Sequence, residues 1–185
     1  MIARVEPAAE SDLDPIADLA ARTFPLACPP ELPREAIDSF IVRHLSPGAL
    51  RVHLVAPGHD LLAARSPDDE LVGYALLIDG TAMDPTCADQ VLRRPTVGIS
   101  KLYVDPGHHG SGLAALVLDE MVRMCSGRGV RSLWLATNVA NARARRFYDK
   151  QGFVERGTRI FDVGGLSNTD VVYEKILSGT APGSD

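Results

Sequence analysis

Residues 97–153 read VGISKLYVDPGHHGSGLAALVLDEMVRMCSGRGVRSLWLATNVANARARRFYDKQGF. Val97 to Val104 reads as a strand. The segment Gly107 to Gly112 is rich in glycine. Leu113, Leu116, Val117, Met121 and Met124 then recur at helical spacing until Gly127 and Gly129 end the helix. Val130 to Thr137 reads as a second strand and Ala140 to Gln151 as a second helix, with Gly152 as its C-cap. A strand, a crossover helix and a strand make a βαβ unit, so the two strands are expected to lie parallel.

The flanking sequence differs in kind. Upstream, Leu61–Ala64 and Leu71–Ile78 surround the polar turn Ser66–Glu70 and predict an antiparallel hairpin. Ile2–Val5 predicts a short first strand. Ser11, Asp12 and Asp14 open a helix whose apolar face is Leu13, Ile16, Ala17, Leu19 and Ala20. Residues 25–33 carry four prolines and predict an irregular loop. Ala36, Ile37, Phe40, Ile41 and Leu45 predict a second helix, and Ser46-Pro47 opens a third through Val55. Residues 79–96 read as a loop. Downstream, strands are expected near Phe153–Asp162 and Asp170–Ile176. The fold class is therefore α/β: one domain over 1–177, a mixed, mainly antiparallel sheet with a central parallel pair and flanking helices. Residues 178–185 read as a flexible tail.

Composition bounds the function. The 185 residues are 45% apolar and 23% charged, as expected of one globular domain. No apolar run is long enough to span a membrane, and the N-terminus lacks a signal core. Cys28, Cys87 and Cys125 are isolated, which suggests reduced thiols and a cytoplasmic location. A net charge of −5 argues against nucleic acid as a partner. No metal site is expected, because adjacent His108 and His109 lack a third ligand at useful spacing.

The loop before the first helix of the unit carries chemistry. Its glycines allow close backbone approach, and a helix N-terminus offers unpaired N–H groups with partial positive charge. Together they suit a pyrophosphate. Gly107, Gly110 and Gly112 run in the wrong order for a dinucleotide fingerprint, and no Lys follows as a Walker loop requires. A ligand-free glycine turn is the plain alternative for the loop taken alone.

The run Leu102-Tyr103-Val104-Asp105-Pro106 … Gly110-Ser111-Gly112-Leu113-Ala114 resembles the acetyl-CoA loop, Q/R-x-x-G-x-G/A, of the GNAT superfamily of N-acetyltransferases. His109 stands at the Gln/Arg position. The later pattern Asn141-x-x-Ala144-x-x-Phe147-Tyr148-x-Lys150-x-Gly152-Phe153 is similar to that family's second signature. The resemblance implies acetyl-CoA as co-substrate and an amine acceptor as partner. Backbone groups of Leu102, Tyr103 and Val104 would hold the pantetheine like an added strand. His109, Gly110, Ser111, Gly112, Leu113 and Ala114 would cradle the pyrophosphate, and Asn141 would meet the pantetheine or a water. Lys150, or one of Arg143, Arg145 and Arg146, would meet a phosphate. Tyr148 would protonate the leaving thiolate, its plain alternative being an aromatic packed on the sheet.

Many relatives carry a strand glutamate as base; Ser100 stands there instead, so no base is named. Phe161-Asp162-Val163-Gly164-Gly165 … Thr169–Lys175, with Arg22-Thr23-Phe24, resembles bacterial polyamine N-acetyltransferases. That implies a small amine acceptor such as a polyamine. Glu31, Glu35 and Asp38 are candidates to attract a cation. Acetylation of a protein or peptide, or acyl-CoA binding without turnover, are the other classes in view. Exposed strand edges near residues 153–176 would allow a homodimer.

Overall fold

The structure is a computed structural model that describes residues 3–163 and 165–177. Ile2, Gly164 and the tail expected over 178–185 lie outside the described residues. The strands are β1 Arg4–Pro7, β2 His59–Arg65, β3 Leu71–Asp79, β4 Thr96–Val104, β5 Ser132–Asn138, β6 Val154–Val163 and β7 Leu166–Ile176. The helices are α1 Leu13–Thr23, α2 Arg34–His44, α3 Pro47–Val55, α4 Leu113–Gly127 and α5 Ala142–Lys150. The strands form one sheet in the order β1-β2-β3-β4-β5-β7-β6. Only β4 and β5 run parallel; the other neighbours are antiparallel. The expected α/β class and central parallel pair are what the chain forms. Among the described residues no helix is long and apolar enough to cross a membrane.

Both faces of the sheet are covered, which explains the nearly continuous apolar run of β3. Tyr74, Leu76 and Ile78 pack with Leu13, Ile16 and Leu19 of α1. Ala75 and Leu77 pack with Val117 and Met121 of α4 on the other face. Helix α3 begins as its sequence predicts. Pro47 takes the first position and Ser46 Oγ accepts from Ala49 N at 3.4 Å.

The stretch expected as a plain loop over 79–96 holds a short 3-10 turn at Pro85–Gln90. It is also firmly tied down. Trp134 Nε1 donates to Gly80 O at 2.9 Å, and Ser132 Oγ donates to Arg93 O at 2.8 Å. The fully buried Glu174 accepts from Leu92 N at 3.1 Å, Arg93 N at 2.9 Å and Arg156 Nε at 2.9 Å. Three donors on one carboxylate satisfy a charge that burial would otherwise make costly.

One irregularity positions everything that follows. Parallel pairing joins only Thr96–Gly98 to Ser132–Trp134. Beyond Gly98, β4 and β5 no longer pair. On its other side β4 pairs Lys101 with Leu76 and Ile99 with Leu77, so Ser100 is an extra residue, a β-bulge. A bulge bends its strand and sharpens the local twist. The bend and the gap occur at the same level of the sheet.

Candidate active site

Beyond its last residue paired with β5, strand β4 lines a cavity of about 410 Å³. From β4 it receives Leu102, Tyr103 and Val104; from the following loop, His109, Gly110 and Gly112. The start of α4 adds Leu113 and Ala114, and α5 adds Asn141 and Tyr148. The chain between α1 and α2 contributes Leu26 and Ala27 to the lining. The two segments singled out in the sequence therefore converge on one space.

The loop end of the cavity is a bare helix N-terminus. Gly112 is the N-cap of α4 at φ +87°, a left-handed conformation natural to glycine, and no side chain caps the helix. The first intrahelical bond runs from Leu116 N to Gly112 O at 3.0 Å; His109 N and Ser111 N donate within the loop, to Pro106 O at 3.1 Å and His108 O at 3.2 Å. Leu113 N donates to Ser111 Oγ at 3.3 Å, so among the described residues the amides of Gly110, Gly112, Ala114 and Ala115 are left for a ligand. Asp105 fixes the loop's entry, accepting from Gly107 N at 2.9 Å and Arg22 Nη1 at 2.8 Å. Arg143 Nη1 reaches His109 Nδ1 at 2.9 Å. A guanidinium can only donate, so this ring nitrogen accepts. Arg143 brings to the loop the fixed charge that histidine does not supply.

Helix α5 is defined at both ends. It starts later than the apolar pattern suggests because Asn141 caps it, Oδ1 accepting from Ala144 N at 3.1 Å. That leaves the Asn141 amide nitrogen for the cavity. At the other end Gly152, at φ +80°, donates to Asp149 O at 3.1 Å while Phe153 N donates to Tyr148 O at 3.0 Å. This pair of bonds is a Schellman closure. The Tyr148 ring packs against Phe147, Phe153 and Tyr173, with centroids 5.2, 5.4 and 6.1 Å away. Burial pushes its phenol above the ordinary tyrosine range, and no charge or hydrogen bond offsets that.

Two expected residues stand off the cavity. Ser111 turns back into its loop, its hydroxyl donating to His108 O at 2.7 Å. Lys150 is exposed on the last turn of α5, roughly 200° around the helix from Tyr148. Arg145 is engaged elsewhere, with Glu155 at 2.8 Å and Tyr173 Oη at 3.3 Å. Glu31, Glu35 and Asp38 are exposed and line neither this cavity nor the next; Asp38 pairs with Arg34 at 2.9 Å.

A second cavity, of about 740 Å³, lies beyond Tyr103, which lines both. Its lining includes Ser100, Lys101, Phe161, Asp162 and Asp170. His44, His53 and His59 lie there as well. Neither Lys101 nor these histidines belong to a motif of the sequence. They come from α2, α3, β2 and β4, and no spacing rule links them. Among the described residues no group of three or more His, Cys, Asp or Glu side chains is arranged to hold a metal ion.

A bent strand parting from its parallel neighbour, beside an uncapped helix start, suits an extended chain ending in a pyrophosphate. The acetyltransferase (GNAT) family profile matches residues 13–153. The chain belongs to that family. An uncharacterized N-acetyltransferase of Mycobacterium tuberculosis is 41% identical over 167 residues, covering 90% of this chain and 99% of the relative. The PaiA N-acetyltransferase of Thermoplasma acidophilum, solved in complex with coenzyme A, shares the fold at a TM-score of 0.75 and 19% identity. That likeness covers 95% of this acetyltransferase and 99% of its counterpart. The spermidine/spermine N-acetyltransferase SpeG of Vibrio cholerae matches at a TM-score of 0.64 and 16% identity, over 95% of both chains. This GNAT enzyme is thus an acetyltransferase that uses acetyl-CoA.

Proposed function

We propose that this acetyltransferase transfers the acetyl group to the primary amine of a small molecule, with the thioester held in the gap between β4 and β5. The observation that carries this is the pair of cavities meeting at Tyr103, one lined by the cofactor motifs and the other by separate polar chemistry. Phe161, Asp162 and Asp170, from the stretch resembling polyamine N-acetyltransferases, all line the second cavity. Their carboxylates suit a cationic amine entering from solvent.

Bound acetyl-CoA supplies an activated acetyl thioester. The chain's own groups do the rest. The edge of β4 beyond Gly98 faces no strand partner, so its backbone groups at Leu102 to Val104 are available to an extended ligand. A backbone N–H there offsets negative charge developing on the thioester oxygen. The open amides of α4 and the Arg143 guanidinium hold phosphate. Tyr148 keeps its proton at rest because burial disfavours its anion. It donates that proton's hydrogen bond to the departing sulfur, where charge appears only during reaction.

The test is thiol release from acetyl-CoA across amino acids, monoamines, diamines and short peptides. Acceptor-stimulated release with one of the small amines is expected. Tight acetyl-CoA binding without stimulated release from any acceptor would instead mark a binding module. Release confined to the peptides would move the function to protein acetylation.

A further inference from the structure

Lys101 is a cation without a counterion among the described residues. It projects from β4 into the second cavity, next to the bulge at Ser100. Its Nζ reaches only Ser100 Oγ, at 3.4 Å. Among the described residues no carboxylate lies within ion-pair distance of it. Burial holds its ammonium down at about 8.

The neighbouring groups do not share its charge. Burial, Lys101 and the adjacent rings hold His53 down at about 4, and burial followed by Lys101 lowers His44. His53 and His59 meet Nδ1 to Nδ1 at 2.9 Å, so one donates and the other accepts. These rings can give N–H bonds, and the His53 ring adds little charge at neutral pH. Arg159 also lines the cavity, yet it is already bonded to Asp84 at 2.9 Å and to Asp170 at 3.1 Å. Lys101 is the cavity's uncompensated positive group among the described residues.

The opposite charge is present as well. Both Arg159 contacts to Asp170 fall on Oδ2, at 3.1 and 3.3 Å. Among the described residues Oδ1 accepts no bond and is left to the cavity. One part of the wall is apolar, with Phe24 stacked on Phe40 at 4.5 Å and Phe161 edge-on to Phe40 at 6.0 Å; Asp162, Asn138 and Asn168 line the cavity as well.

We propose that the acceptor is an amino acid, its carboxylate held by Lys101, its amine received beside Asp170 and its apolar side chain laid on the phenylalanine wall. This rests on the small-amine acetyl transfer proposed above and narrows it. A free diamine would place a second cation against an unpaired lysine, which a poorly solvated site disfavours.

The test compares L-phenylalanine, 2-phenylethylamine and spermidine as acceptors for the full-length enzyme with acetyl-CoA. L-Phenylalanine is expected to exceed 2-phenylethylamine in kcat/KM by about ten-fold or more, the scale of one charge-assisted hydrogen bond. Lys101→Met should shrink that ratio toward one, mainly through KM for the amino acid, and Lys101→Arg should retain a preference. A wild-type preference for 2-phenylethylamine or spermidine overturns the proposal while leaving acetyl transfer standing. So does a ratio unchanged in Lys101→Met. No turnover of any of the three acceptors overturns this proposal together with the small-amine transfer on which it rests.

Discussion

Arg143 of α5 donates to His109 in the loop before α4, across 2.9 Å. The two residues are 34 positions apart, and both line the cavity proposed to hold acetyl-CoA. Arg143→Ala should raise KM for acetyl-CoA about ten-fold with little change in kcat, the loss of the one charge-assisted phosphate contact proposed for it. Arg145→Ala is the informative contrast. Its guanidinium serves Glu155 and Tyr173, so its loss should register in thermal unfolding and not in KM. Steady-state kinetics with acetyl-CoA varied would separate the two, and equal KM effects would remove Arg143 from the site.

Tyr148→Phe keeps the ring that packs against Phe147, Phe153 and Tyr173. Only the hydroxyl goes. The expected outcome is a fall in kcat of roughly 100-fold, the scale of general acid catalysis, with an unchanged melting curve. An undiminished kcat on a good acceptor would reduce Tyr148 to a packing residue.

Deleting Ser100 should straighten β4 while keeping Lys101 opposite Leu76 in the β3 ladder. The chain is expected to fold, because the ladder register on both sides of the bulge is preserved. Acetyl-CoA affinity, measured by calorimetry, should drop by at least ten-fold, since a straight β4 narrows the space beside β5; one such loss corresponds to about 1.4 kcal/mol. Wild-type affinity in the deletion variant would show that the bulge does not hold the gap open.

Glu174→Ala should be among the most destabilising single changes. It leaves the Arg156 guanidinium, one-fifth exposed, without its carboxylate and strands the amides of Leu92 and Arg93. A loss of about 3–5 kcal/mol is expected in urea unfolding. Because Glu174 lies away from both cavities, residual kcat per folded molecule should stay near wild type.

Legibility in the sequence followed the range of the forces involved. Helix α5 was readable because its signals are local: Asn141 caps one end and Gly152 closes the other within twelve residues. The glycine loop and the parallel crossover were readable for the same reason. The bulge at Ser100 was not, because it exists only in the pairing of β4 with β3, and Ser100 in the sequence looks like any strand residue. The anchoring of residues 80–95 depends on Trp134, Ser132 and Glu174, all more than thirty positions downstream. The second cavity is the extreme case. His44, Lys101 and Asp170 meet there from three separate elements. The acidic residues that sequence suggested for it, Glu31, Glu35 and Asp38, sit on the solvent side instead.

An unpaired strand edge on a protein's outside invites any other strand to dock, with aggregation as the cost. Here β4 exposes such an edge inward, between α4, α5 and the turn after α1. Because the parallel pairing is short, the backbone of β4 beyond Gly98 is a docking edge turned away from other proteins and offered only to what enters the molecule.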